Sequence, residues 1–164
     1  YSSIIKQPFK SVEELVSVAN TILNRRKSRA GRSLEHHLEK VFSLNKLIFE
    51  SQAKIEGNKK PDFLFPGTEK YKAAEHADKS LVFLASKTTC KDRWRQILNE
   101  ADKIPIKHLF TLQQGISFNQ LTEMEKAQVQ LVVPNKYIAS FPKEFQSKIF
   151  SLNYFIKFVK SKQA

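Results

Sequence analysis

Apolar positions in the first part of the chain follow helical spacing; further on they gather into short continuous runs. Leu15, Val16, Ala19, Ile22 and Leu23 fall three and four residues apart, which predicts an amphipathic helix over 12–26. Ser11 with Glu14 three residues on is a capping-box pair that would start it. A basic turn around Gly31 comes next, and Ser33 would cap a second helix carrying Leu34, Leu38, Val41 and Phe42 on one face. Beyond it the period changes. Residues 47–55 read as extended, Gly57-Asn58 as a turn, and Phe63-Leu64-Phe65, set between Pro61 and Pro66, as a short strand. Leu81–Ala85, His108–Leu112 and Val129–Val133 are apolar runs of buried-strand length. Helices are predicted between them over Lys91–Lys103, with Trp94, Ile97, Leu98 and Ala101 inward, and over Gln120–Gln128. A Phe-rich helical stretch over Phe145–Val159 closes the chain. Strands alternating with helices in this half predict an α/β fold with at least partly parallel pairing.

With 164 residues, 4 Gly, 6 Pro and neither a repeat nor a Ser/Gly linker, residues 1–164 are expected to form a single domain. The first residue is Tyr rather than Met, which suggests a fragment or a processed chain. An apolar share of 41% with 11% aromatics excludes wholesale disorder. No apolar run reaches the roughly 18 residues of a membrane span, and no signal peptide opens the sequence. The one cysteine, Cys90, excludes a disulfide framework and fits a reducing, cytoplasmic setting. His36, His37, His76 and His108 lack the spacing of a zinc site.

Charge narrows the field further. Twenty-eight Lys and Arg against 16 Asp and Glu give +12 and a pI near 9.8, which points to a polyanionic partner. A membrane surface is disfavoured by the lack of a basic amphipathic helix with exposed aromatics, and RNA by the lack of an RRM- or KH-like motif. Nucleic acid is the partner class this charge favours.

One constellation suits chemistry on such a partner. Asp62 stands at the mouth of one strand and Lys87 just past the end of the next, so neighbouring strands would bring them together at one end of a sheet. Glu100 lies thirteen residues beyond Lys87 on the following helix, and Glu35 on the early helix. Carboxylates hold Mg²⁺, which polarises a phosphate and lowers the pKa of bound water; a lysine positions or deprotonates that water and offsets phosphorane charge. Each part has a plainer reading: Pro-Asp as a turn, Lys87 as solvent-facing, Glu100 as an intrahelical partner of Lys103.

Several blocks carry a resemblance. They are Arg25-Arg26-Lys27-Ser28-Arg29-Ala30-Gly31-Arg32-Ser33-Leu34-Glu35, Lys60-Pro61-Asp62-Phe63-Leu64-Phe65-Pro66, Leu84-Ala85-Ser86-Lys87-Thr88-Thr89-Cys90-Lys91-Asp92-Arg93-Trp94-Arg95-Gln96, Asn99-Glu100-Ala101-Asp102 and Lys107-His108-Leu109-Phe110-Thr111-Leu112-Gln113. In this order, from about Arg25 to Pro134, the chain resembles the catalytic domain of EcoRII-type restriction endonucleases. The resemblance implies a PD-(D/E)XK nuclease fold, a central mixed sheet flanked by helices with Mg²⁺ at one edge. Asp62 would be the central metal ligand, Lys87 the catalytic lysine, Glu100 the downstream acid and second ligand, and Glu35 the early-helix acid. Ala85 stands two residues before Lys87, where the common motif has Asp or Glu, and Glu100 would replace that carboxylate. Tyr71 matches a tyrosine near the family's active site; a packed tyrosine is its equal alternative.

Lys91-Asp92-Arg93 would open a helix entering the major groove, with Arg93 on guanine and Asp92 accepting from cytosine. Alternatively Lys91 and Arg95 touch phosphates only and Asp92 caps the helix. Trp94 is expected as a core anchor and Cys90 as packing. Arg25, Arg26, Arg29 and Arg32 are expected on the DNA backbone, or as a solvated turn. The resemblance further implies cleavage at CCWGG-like sites with 5′-phosphate products and extrusion of the central base pair. It also implies a separate N-terminal effector DNA-binding domain. A twofold homodimer is the simplest way to cut both strands, and a monomer nicking them in turn is the alternative. A catalytically silent DNA-binding module and a structure-specific repair nuclease are the competing functions.

Overall fold

A computed structural model of the chain describes residues 2–6, 8–55, 57, 59–74 and 78–164, excepting the side chains of Ser2, Ile5 and Asp92. After a short helix α1 (Ser2–Ile5), one helix of 33 residues, α2 (Val12–Leu44), replaces the two helices and basic turn expected. Ser11 does cap it, its hydroxyl accepting the Glu14 amide. Arg, Lys, Ala and Ser across 25–33 are compatible with helix, no proline interrupts them, and a single Gly31 costs too little to break it. Ser33 is interior, its hydroxyl 3.4 Å from His37 Nδ1 one turn on.

Among the described residues six strands follow in the order β1 to β6: Glu50–Ser51, Phe63–Phe65, Val82–Lys87, Lys107–Thr111, Val129–Val133 and Phe150–Ser151. The first two pairings are antiparallel and the last three parallel, so the sheet is mixed and flanked by helices, as expected. The remaining helices are α3 (Thr68–Ala73), α4 (Phe118–Lys126), α5 (Lys143–Gln146) and α6 (Leu152–Gln163), with 3₁₀ helices at Lys91–Asn99 and Asn135–Ser140. Among the described residues no helix is long and apolar enough to cross a membrane.

Strand alternation sends Phe63, Phe65, Leu84, Phe110 and Val132 against Leu38 and Phe42 of α2 and Phe155 and Val159 of α6. Leu64, Phe83, Ala85, Leu109 and Leu131 face the other way, onto Tyr71, Trp94, Ile97 and Met124. Phe42 is the hub of the first layer, meeting Phe49, Phe63 and Phe65 edge-on at centroid distances of 5.2–5.7 Å. Both faces covered explains why the central strands read as unbroken apolar runs.

Three other expectations are corrected. Only Glu50–Ser51 of the 47–55 stretch pairs as strand, because Lys46 and Gln52 on either side take left-handed φ values of 58° and 51°. The helix over 91–103 is a 3₁₀ helix that stops at Asn99: Trp94 and Ile97, three apart, share its buried side, and the chain then turns sharply at Ala101 (φ 50°). The stretch 145–159 is broken, because Phe150 and Ser151 pair with Val132 and Val133 before the Ser151 hydroxyl caps α6. Gly57, at φ +61°, fits the expected turn, while its neighbour Asn58 lies outside the described residues.

Candidate active site

Asp62 directly precedes β2, and the antiparallel register that sets Phe63 opposite Leu84 lays it alongside the far end of β3. There the Ser86 amide donates to Asp62 Oδ2 at 2.7 Å and the Ser86 hydroxyl at 3.3 Å. Lys87 Nζ donates to the same oxygen at 3.3 Å, and the pair is mostly buried. The strand ends thus bring Asp62 and Lys87 together as the sequence predicted.

The other Asp62 oxygen reaches α2. Gln52 Nε2 donates to Asp62 Oδ1 and to Glu35 Oε2, each at 3.2 Å. The left-handed backbone of Gln52 is sparsely populated for a non-glycine residue, and such positions gather at functional sites. Burial, then the negative charge of Asp62, holds the Glu35 carboxyl above its ordinary range, with Lys87 acting in the opposite direction.

Glu100 is not on a helix. It caps the 3₁₀ helix in extended conformation, at φ −102° and ψ 146°. Burial raises its carboxyl also, against the pull of Lys87 and with the push of Asp62, so it sits within electrostatic reach of both. Ala85 is fully buried on the face that packs against Trp94, Ile97 and Ala101. The segment covering that face is the one that carries Glu100. Lys107, itself buried, fixes this segment by donating Nζ to the carbonyls of Ala101 (2.6 Å) and Ile104 (2.5 Å).

Glu35, Gln52, Ser86 and Lys87 open into a cleft of about 1060 Å³ between α2 and the end of β3. Arg32, Glu35, Lys87, Lys91 and Arg93 line it, together with Asn24, Lys27, Ser28, Gln52, Thr88 and Thr89, which sequence reasoning missed. Positions 24, 27, 28, 31 and 35 share one face of a continuous helix, so reading α2 as unbroken would have found the first three. Gln52 has no such signal.

The other expected site residues stand elsewhere. Arg25, Arg26 and Arg29 are exposed on α2 outside the cleft lining. Arg95 pairs with Glu123 of α4 at 2.5 Å, its guanidinium 4.7 Å from the centre of the Trp94 ring. Tyr71 is buried in the core, its hydroxyl accepting the Lys103 amide at 3.2 Å just past the Glu100 segment. The Asp92 side chain and all of His76 lie outside the described residues. Trp94 and Cys90 are core residues, as expected, and burial pushes the Cys90 thiol up to about 11, far from a reactive thiolate.

Comparison with known proteins identifies the family and the fold. The family described as EcoRII C terminal matches residues 1–156. The chain is 53% identical over 154 residues to the type II restriction enzyme EcoRII of Escherichia coli, covering 93% of this chain and 38% of that enzyme. Metal-depleted Ecl18kI in complex with uncleaved, modified DNA shares the fold with a TM-score of 0.72 at 21% identity, over 92% of this chain and 50% of that one. Metal-depleted Ecl18kI with uncleaved DNA gives a TM-score of 0.70 at 20% identity, over 94% and 55%. The chain spans well under half of the EcoRII enzyme, and within that span it belongs to the EcoRII C-terminal family, the family of a type II restriction enzyme.

Proposed function

We propose that this chain is the catalytic domain of a Mg²⁺-dependent type II restriction endonuclease, which hydrolyses double-stranded DNA at CCWGG-like sites and leaves 5′-phosphates. The observation that carries the reading is Asp62, held by the Ser86 amide and the Lys87 ammonium, two residues that line a cleft with basic walls.

The donor set fits a hard divalent cation. Burial first raises both Glu35 and Glu100, with the charge of Asp62 adding to it and Lys87 opposing it, so a bound cation would offset the cost of keeping these carboxylates ionised. Among the described residues no three His, Cys, Asp or Glu side chains group closely enough to hold an ion alone. Mg²⁺ suits that, since it takes one or two carboxylates and completes its shell with waters and phosphate oxygens. Asp62 and Glu100 are the two that would hold it. When bound, it polarises the scissile phosphate and makes water more acidic.

The chain's own groups do the rest. The Lys87 ammonium, fixed against Asp62, orients the attacking water and faces the charge that develops on the phosphorane. Gln52 keeps the Glu35 carboxylate aimed into the same site. Tyr71 supports the segment bearing Glu100 from the core. Lys91, Asp92 and Arg93 read G·C pairs, while Lys27 and Arg32 on the opposite wall bind phosphates.

Two strands need two sites, and a twofold homodimer supplies them. The apolar stripe of α2 that stays exposed, Val12, Leu15, Val16 and Leu23, supports a second copy packing there. The share of EcoRII left unmatched supports a separate N-terminal effector domain in the whole protein.

Digestion of plasmids bearing CCWGG, CCSGG or CCGG, with Mg²⁺ and with EDTA, tests the reading. Mg²⁺-dependent cutting at CCWGG alone is expected, and Asp62→Ala should abolish it while DNA affinity stays near that of the parent. Cutting without sequence preference would favour a repair nuclease. Tight binding without any cutting would favour a silent DNA-binding module.

A further inference from the structure

Two glutamines outside the catalytic group grip the backbone of the segment that brings Lys91 and Arg93 to the cleft. Lys91 opens the 3₁₀ helix at φ +33°, a left-handed conformation that a residue with a side chain rarely adopts. Gln113, two residues past the end of β4, turns Oε1 toward this kink and accepts the amides of Cys90 at 2.9 Å and Lys91 at 3.3 Å. Gln120, in the first turn of α4, donates Nε2 to the Lys91 carbonyl. Both polar backbone groups of the strained residue are therefore fixed, each by a different element.

The clamp is itself anchored. The Gln113 amide donates to Thr111 Oγ1 at 3.1 Å, and Thr111 is the β4 residue paired with Lys87 across the parallel ladder. One strand end thus sets both Lys87 and the turn that follows it. Apolar packing alone already holds the segment to the core through Cys90 and Trp94. What the glutamine oxygen adds is the orientation of the peptide planes at 90 and 91, and with it the direction in which Lys91 and Arg93 leave the backbone.

We propose that Gln113, assisted by Gln120, is a specificity-positioning residue for DNA recognition. The inference rests on the reading of Lys91–Arg93 as the G·C-reading segment. Bidentate contacts to base edges need their donors placed within a fraction of an ångström, whereas phosphate contacts tolerate looser geometry. Releasing the turn should therefore erase discrimination between sequences long before it erases affinity for DNA.

Equilibrium binding in EDTA tests this without any cleavage. The readout is the ratio of affinities for a CCWGG duplex and for one with a single G·C pair changed, with thermal melting measured alongside. Gln113→Leu should lower that ratio at least tenfold while affinity for the changed duplex and the melting temperature stay close to the parent. Gln113→Glu, which keeps an acceptor oxygen, should hold the ratio near the parent value. Should Gln113→Leu not fold, Gln120→Leu removes only the bond to the Lys91 carbonyl and is expected to move the ratio the same way. An unchanged ratio in a folded variant, or an equal loss on both duplexes, overturns the clamp. Arg93→Ala separates the two levels. If it lowers the ratio and the glutamine variants do not, only the clamp fails; if it leaves the ratio unchanged, the reading of the segment fails with it.

Discussion

His108 on β4 is a neutral imidazole enclosed by aromatic rings. Phe150, Phe155 and Phe158 surround it at centroid distances of 5.2–6.1 Å, and its Nδ1–H donates to the Phe83 carbonyl at 3.1 Å. Burial depresses its pKa from 6.5 to about 4. Below 6.5 the unfolded chain takes up a proton that the folded chain refuses, so this contribution to stability is complete above pH 6.5, shrinks down to about pH 4 and changes no further below. The loss is on the order of 3 kcal/mol. Urea unfolding at pH 7.5, 6 and 5 should show it, and His108→Phe should flatten that slope; identical slopes in both proteins would discard the assignment. Single residues differ sharply in what their sequence context gives away. The meeting of Asp62 and Lys87 was legible because both stand at the ends of apolar runs that read as strands, whereas the role expected of Glu100 came from the resemblance and not from its spacing. Gln52 and Gln113 were not legible, since their roles depend on a left-handed backbone and on a neighbour 23 residues away, neither of which leaves a local signature.

At the scale of elements, the strands were the most legible part, because burial on both faces writes continuous apolar runs. Helix boundaries were read less well. The basic run in α2 looked like a turn because arginine and lysine repeat around a glycine, yet those residues are compatible with helix and simply project into solvent and cleft. The consequence is testable at Gly31. A Cβ there would meet no atom within 4 Å, and the backbone is helical. Gly31→Ala should stabilise the protein by about 0.5–1 kcal/mol, measured by chemical denaturation. Destabilisation would mean that α2 is interrupted there after all. The segment after β3 differs for the opposite reason: its apolar spacing of three also fits a four-three helical repeat, and packing ends it as a 3₁₀ helix at Asn99. That early stop matters chemically, since an extended Glu100 can turn back toward Asp62 and Lys87.

For the whole molecule, the net charge of +12 was visible from composition, but where it acts was not. The structure concentrates Lys27, Arg32, Lys87, Lys91 and Arg93 around one cleft against Glu35 and Glu39, while Lys157, Lys160 and Lys162 lie on α6 outside the cleft lining. If affinity came from overall charge, removing any lysine would weaken binding alike. If it comes from phosphates seated in the cleft, each contact releases its own counterions, and the slope of log affinity against log salt falls by roughly 0.9 per phosphate. About six such contacts would cost on the order of a thousandfold in affinity between roughly 50 and 200 mM salt. Lys27→Ala should therefore reduce the magnitude of the slope by about 1, and Lys160→Ala should leave it where it was. Equal changes in the two variants would show that DNA follows the field of the whole molecule rather than this cleft, and would move the binding surface away from the site where Asp62 and Lys87 meet.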